Sequence, residues 1–361
     1  MIKVYYVDDV ATDRQKFATR ISGGNLAVAS GWPPEGLNLE PIIRTKPDIL
    51  MIDYELTRPE RGRTPTQYQG ATLASRIRES FPNHPIVLFT RRGLLTRPEY
   101  QQVKDVMQVF DDVLYKGDIE KNPGSSRSLL ASLATGFRLL REDKTKSWDS
   151  LIQFLKAPPQ AEDALRKAGP PLHSGVRTSP APWRVQEAAR WIRKVVLAYP
   201  GILYDKLYSA TALGIDVESF DAPKVRKLFA PAQYRGLFEP PEDRWWRVRV
   251  YEVAQRVIAA AKLSGPAHVV FADAYKKRVG TRLKPARCIY SKTSPADWVC
   301  YILYGPVKRQ YSLSYHPDDR PAVMDEARVS FKAIREDNRV RDELFDEQSQ
   351  KLLKEIRSLR G

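Results

Sequence analysis

Four short hydrophobic runs in the first 116 residues each carry a chemically capable side chain at or near their ends. They are IKVYYVDD with Asp8 and Asp9, PDILMIDYEL with Asp53, PIVLFTRRG with Thr90, and DDVLYKGD with Lys116. Runs of this composition read as strands. An open α/β sheet collects its chemistry outside the carboxyl ends of its strands, where the loops form a crevice. Three carboxylates, a hydroxyl and an ammonium converging there make a site for one divalent cation and one phosphoryl group. Acids gathered without a cation would repel and raise one another's pKa, so the cluster implies Mg²⁺ or Mn²⁺. Asp53 is the natural nucleophile, because an aspartyl carboxylate can carry a phosphoryl group covalently. Lys116 would neutralise one phosphoryl oxygen, and the Thr90 hydroxyl would donate to another. The plainer alternative is that Asp8, Asp9 and Asp53 cap loops.

The five positions, in this order, resemble the receiver domain of bacterial two-component response regulators, the CheY-like family, over about residues 1–143. The resemblance implies a flavodoxin-like, doubly wound α/β fold with a five-stranded parallel sheet. It implies Mg²⁺ held directly by Asp9 and Asp53, by Asp8 through water, and by the Glu55 backbone carbonyl. Asp53 would be the phosphoacceptor, Thr90 the switch hydroxyl, Lys116 the phosphate-sensing lysine, and Gly70 the glycine preceding the third helix. The implied partner is a sensor histidine kinase or phosphotransfer protein. Several positions depart from the family's pattern. Gly117 follows the lysine where a proline in a cis bond is usual, which leaves Lys116 less rigidly aimed. Val113 stands where the aromatic switch residue is expected, and Arg91 and Arg92 follow Thr90 in place of a small residue. Thr57–Gln69 inserts a basic, Pro-containing loop, and a Glu55–Arg92 pair across the mouth is expected to slow water entry.

The chain has 361 residues, enough for two or three domains. No apolar run approaches a membrane span, and the acidic, strand-like start lacks a secretory signal pattern. Cys288 and Cys300 are too few for a disulfide framework, and a reduced cytoplasmic setting is expected. The net charge of +16 is uneven. Residues 1–144 hold 21 Lys+Arg and 18 Asp+Glu, and 323–361 hold 9 of each, so 145–322 holds 29 against 16, a net +13. Such a field attracts phosphate-bearing partners, although an acidic protein surface would answer it equally.

Beyond 1–143, the pattern predicts a helical arm and Pro-rich linker over 144–182, with the helix at 125–143 continuing toward 151–156 and a short helix near EDALRKA. Residues 183–263 read as a helical domain compatible with a helix-turn-helix, its first helix carrying Trp183, Trp191, Ile192 and Tyr199. Residues 264–361 read as a basic α+β region. There HVVFADAY, WVCYILY and RQYSLSYH are expected strands, HPDD a helix-start turn before PAVMDEARVSFKAI, and Leu352, Leu353, Ile356 and Leu359 one stripe of a C-terminal helix. Candidate contacts to double-stranded DNA are Lys224, Arg226 and Lys227, with Lys276, Lys277, Arg278, Arg282 and Lys284. Tyr275 and Tyr290 are candidate base-stacking rings.

The favoured function is a two-component response regulator in which Mg²⁺-dependent phosphorylation of Asp53 controls a basic, DNA-binding output region. The alternative is a receiver-containing adaptor whose basic region docks a protein. No enzymatic activity is expected, since 145–322 lacks a phosphate loop, a paired-acid motif near a lysine, and a His/Cys cluster at ligand spacing. A homodimer stays open.

Overall fold

The computed structural model describes residues 1–58, 66–91, 109–169, 184–198, 200–240, 242–317 and 325–358. Arg92, Trp183, Tyr199, Asp318, Asp319 and Leu359 lie outside these, and so do the Glu55–Arg92 pair and half of the HPDD turn. The chain forms two compact units. One comprises Met1–Ser150, Pro171–Ile192 and Leu237–Pro241, and the other Leu151–Pro170, Arg193–Gly236 and Glu242–Gly361.

In the first unit, β1 (Ile2–Val7), β2 (Leu26–Gly31), β3 (Ile49–Asp53), β4 (Ile86–Thr90) and β5 (Asp112–Tyr115) form one sheet in the order β2-β1-β3-β4-β5. Every neighbouring pair is parallel. This is the flavodoxin-like doubly wound order. β3 and β4 are buried along their whole length, which is why both read as unbroken apolar runs. Strand alternation divides the core. Tyr5, Val7, Leu50, Ile52, Ile86 and Leu88 pack with Leu73 and Ile77. On the other face, Phe89 meets Tyr6 and Phe17 edge-on at 5.2 and 4.9 Å.

Helices α1 (Ala11–Ile21), α2 (Glu40–Thr45), α3 (Gly70–Ser80), α4 (Lys116–Lys121) and α5 (Pro123–Glu142) complete the described part of this fold. Gly70 opens α3 because nothing larger fits: a Cβ there would fall 2.0 Å from the Asp53 carbonyl oxygen. Its N–H donates to the Tyr54 carbonyl at 2.8 Å, so the helix start is fastened beside the acceptor strand. α5 is capped by Asn122, whose side chain accepts from Ser125 N–H, with Pro123 in the first turn. Nor does α5 continue to residue 156. The Asp143 carboxylate accepts the N–H groups of Thr145 and Lys146 and turns the chain, and α6 (Trp148–Leu155) starts afresh.

The second unit is largely helical with a small mixed sheet. It contains α7 (Glu162–Lys167), where EDALRKA predicted a helix. The helix α8 (Val185–Trp191) belongs to the first unit, and a π-helical stretch, Ile192–Val196, follows it. In the second unit, β6 (Leu203–Tyr204) pairs with β7 (Trp245–Trp246), and α9 (Lys206–Ala212), α10 (Val217–Asp221), α11 (Pro223–Phe229) and α12 (Arg247–Ala260) surround a core containing Phe220, Phe229, Trp245 and Phe271.

Two expectations for 264–361 fail. HVVFADAY is not a strand but lies in α13 (Ala267–Val279), which starts after Pro266 and ends on Gly280 at φ 76°. Ala267, Phe271, Ala274 and Tyr275 fall on one buried face at helical spacing, and that face overrides the β-branched local preference. PAVMDEARVSFKAI is likewise no single helix: Ala327–Ser330 is β11, and α14 begins only at Phe331. Ser330 accepts the Ala333 N–H there, a cap that fixes the switch. With β8 (Trp298–Cys300), β9 (Gly305–Val307) and β10 (Ser312–Tyr315), β11 forms the sheet β10-β11-β8-β9. WVCYILY thus supplies only three strand residues before a turn. The last helix, α15 (Glu347–Ser358), buries Leu353 and Ile356 against this sheet's core and leaves Leu352 exposed.

Gly70→Ala should destabilise the first unit by roughly 1–3 kcal/mol, read from the urea midpoint, because the added methyl meets backbone that cannot yield. His84 gives a pH test. Burial, then the positive charges of Arg141 and Arg78, lower its pKa from 6.5 to about 4, against an opposing pull from Asp48. The folded state therefore binds fewer protons than the unfolded chain between those values, and stability falls as pH drops from 6.5 toward 4. His84→Gln should flatten that slope, and an unchanged midpoint-versus-pH curve would refute the assignment.

Candidate functional site

The carboxyl edge of the sheet brings the five sequence-predicted side chains together. Asp8 and Asp9 directly follow β1, Asp53 ends β3, Thr90 ends β4, and Lys116 opens α4 directly after β5. All five are buried. One oxygen from each of Asp8, Asp9 and Asp53 lies within 4.8 Å of the others, a set able to hold a metal ion.

Lys116 is the centre of the cluster. Its Nζ donates to Asp8 Oδ2 at 2.8 Å, to Asp53 Oδ2 at 2.9 Å, and to Asp13 Oδ2 at 2.9 Å. Asp13 was not singled out from the sequence, although DDVATD places it in the first turn of the helix that follows the acid pair. Tyr6 is the second omission: its hydroxyl donates to Asp8 Oδ2 from the floor of the site. Backbone N–H groups hold one further oxygen on each of Asp8, Asp53 and Asp9. Val10 donates to Asp8 Oδ1 at 2.8 Å, Tyr54 to Asp53 Oδ1 at 2.8 Å, and Arg58 to Asp9 Oδ2 at 2.5 Å. Beneath them, Arg14 donates to the Asp8 carbonyl and lies 3.4 Å over the Trp32 ring.

Two polar atoms in the site are buried without a hydrogen-bond partner, Asp9 Oδ1 and Thr90 Oγ1. Buried polar groups are ordinarily satisfied, so each marks a position for a ligand atom. A carboxylate oxygen suits a cation, and a hydroxyl suits an anionic oxygen. The charges agree. Four carboxylates face one ammonium, and this excess of negative charge favours a divalent cation. Burial, reinforced by Asp8, pushes the Asp53 pKa upward against the pull of Lys116. Burial also raises Asp9, opposed by its bond from the Arg58 backbone. For Lys116, burial lowers the pKa, but Asp53 and Asp8 outweigh it and hold the ammonium above its usual range.

Glu55 sits in the loop after β3, and its carboxylate pairs with Arg58.

The basic residues proposed for nucleic acid fare unevenly. Lys224 and Lys227 are exposed on α11, but Arg226 is partly buried, paired with Asp243, 3.7 Å from Asp221, and 4.9 Å over the Trp245 ring. Lys276, Lys277 and Arg278 form the exposed last turn of α13, and Arg282 is exposed just beyond. Lys284 pairs with Glu218 at 2.9 Å. Tyr275 is buried, and Tyr290 packs on Tyr311 and Phe331, so neither ring forms an open stacking platform.

Strand order and the placement of the site residues together give the first unit the receiver fold. No protein-family model matches the sequence, and no curated protein matches it. Solved structures similar to this chain include response regulators and their receiver domains. The REC domain of AraT from Geobacillus stearothermophilus is 23% identical, covering 39% of this chain and 98% of its own, with a TM-score of 0.30. The RcsB response regulator of Salmonella typhimurium is 17% identical over 46% of this chain and 78% of its own, at 0.28. TrrA of Thermotoga maritima, solved in complex with Mg²⁺-BeF, is 16% identical over 37% and 99%, at 0.28. At these scores the likenesses add no weight to the strand order already described.

Lys116→Met should cost about 3–5 kcal/mol at neutral pH, since it strands buried carboxylates without a counter-charge. The loss should shrink toward pH 5 as those acids take up protons. A pH-independent loss would mean that Lys116 acts through packing alone.

Proposed function

We propose that this protein is a response regulator whose Asp53 accepts a phosphoryl group from a sensor histidine kinase or phosphotransfer protein. The observation that carries the reading is the shared ammonium of Lys116 between Asp53 and Asp8, with Thr90 Oγ1 and Asp9 Oδ1 buried and unpartnered beside it. Asp8, Asp9 and Asp53 would hold Mg²⁺, together with the Glu55 carbonyl, and the ion would supply charge neutralisation to the phosphoryl oxygens. An Asp53 oxygen attacks phosphorus. The donor's P–N bond breaks as the O–P bond forms, and the imidazole nitrogen keeps the electron pair. Lys116 then exchanges Asp8 and Asp13 for a phosphoryl oxygen, and the Thr90 hydroxyl donates to a second. Both changes alter contacts at the ends of β4 and β5, so the modification biases a conformational balance. The protein is a stoichiometric carrier in this scheme, not a turnover enzyme.

The output is read as double-stranded DNA binding, supported by the net +13 of residues 145–322 and by the exposed Lys276, Lys277, Arg278 and Arg282. Among the described residues no helix is long and apolar enough to cross a membrane.

Incubation with acetyl phosphate and Mg²⁺ should add the mass of one phosphoryl group, and Asp53→Asn or removal of Mg²⁺ should abolish it. An unmodified wild-type mass would overturn the acceptor role. For the output, replacing Lys276, Lys277 and Arg278 by Ala should reduce the slope of log affinity against log salt by about 1 for each phosphate that is no longer neutralised. An absence of DNA binding at low salt would leave protein docking as the output.

A further inference from the structure

We propose that Asp13 is a latch on Lys116, an acid outside the metal-binding set that opposes phosphorylation by holding the lysine in its unmodified position. This regulation rests on the acceptor role proposed for Asp53. In the unmodified site the ammonium is saturated. It has three protons to donate, and Asp8, Asp53 and Asp13 supply oxygens at 2.8, 2.9 and 2.9 Å. Lys116 can bond a phosphoryl oxygen on Asp53 only by giving one of them up.

The three acids are not equivalent. Asp8 and Asp53 belong to the set able to hold a metal ion, and Asp13 lies outside it. Asp8 is also held by the Tyr6 hydroxyl and the Val10 N–H, and Asp53 by the Tyr54 N–H. With a cation and a phosphoryl group in the site, those two acids keep partners. Among the described residues Asp13 forms its only ion pair with Lys116, and its side chain is 16% exposed. Loss of the lysine leaves a mostly buried carboxylate without a counter-charge. That cost falls on the phosphorylated state alone and biases the balance toward the unmodified one.

Its place on α1 makes the latch a link between two helices. Asp13, Lys16 and Arg20 stand at helical spacing on α1, and all three meet α4. Lys16 pairs with Glu120, and Arg20 donates to the Glu120 carbonyl at 3.0 Å. Lys116 and Glu120 are themselves one turn apart on α4. The rungs of this ladder differ in strength. Lys16 and Glu120 are 44% and 42% exposed, so water screens their pair, whereas Lys116 is only 7% exposed. Release of Asp13 therefore removes the least screened rung, and the hold of α1 on α4 changes with the modification.

The test is ¹⁹F NMR titration of the full chain with beryllofluoride, a phosphoryl mimic, at saturating Mg²⁺. Asp13→Asn should bind it about tenfold more tightly than wild type. The gain should vanish in a Lys116→Met background, because the acid acts through the lysine. A gain that persists there would reduce Asp13 to simple charge repulsion and overturn the latch. So would an Asp13→Asn variant that binds no more tightly than wild type. A wild type that takes up no beryllofluoride would instead overturn the acceptor role of Asp53 on which the latch rests. NMR of ¹⁵N-lysine-labelled protein reads the same contact without any Lys116 variant. The ammonium protons of Lys116 should exchange slowly with water in wild type and several-fold faster in Asp13→Asn. Identical exchange in the two proteins would also overturn the latch.

Discussion

The first unit is organised around a buried ammonium shared by three carboxylates. Lys116 cannot leave its position without stranding Asp8, Asp13 and Asp53 in a medium that solvates charge poorly. Those acids in turn cannot separate, because each is fixed to a strand end or to the first turn of α1, and backbone N–H groups hold Asp8 and Asp53. The sheet therefore does more than bring residues near one another. Its parallel order aligns the carboxyl ends of β1, β3, β4 and β5 on one edge, and hydrophobic burial of β3 and β4 drives the charges together. The electrostatic strain of that gathering is only partly relieved by one lysine. What is left unrelieved, an orphaned oxygen on Asp9 and an orphaned hydroxyl on Thr90, gives the site its capacity for a cation and an anionic oxygen.

Asp13 changes how the lysine is held. In the reading from motif residues alone, Lys116 neutralises a phosphoryl oxygen and Gly117 leaves it less rigidly aimed. The third ion pair, to an acid on the following helix, supplies the restraint that a rigid residue after the lysine would otherwise provide. Under the proposed phosphorylation, a phosphoryl oxygen that recruits Lys116 would have to compete with Asp13 as well as Asp8. Under that proposal, the acid on α1 would couple the occupancy of the site to the position of that helix.

In the second unit, local preference and tertiary demand part company. The β-branched pair Val269 and Val270 suggests a strand, yet four residues at helical spacing find a buried face there, and Pro266 and Gly280 delimit the helix. Ala327–Ser330 shows the reverse, joining a sheet although the surrounding sequence has helical periodicity. The positive charge of this region was legible as a quantity but not as a surface. Arg226 and Lys284 spend their charge on intrachain acids, and Tyr275 serves the core. Charge counts fix a long-range field, whereas contact chemistry depends on which side chains remain unpaired.

By itself, the sequence determined the amino-terminal fold and the five residues at its chemical edge. The reason is that parallel strands write their burial as unbroken apolar runs and place functional groups at their ends. It also determined Gly70, whose lack of a side chain is required by the Asp53 carbonyl beside it. Only the tertiary structure decided the partners of Lys116, the role of Tyr6 and the Glu55–Arg58 pair. Each of these joins groups whose meeting depends on three-dimensional packing and side-chain placement. A one-dimensional pattern records which residues want burial, not which of them will share a proton or a charge once buried.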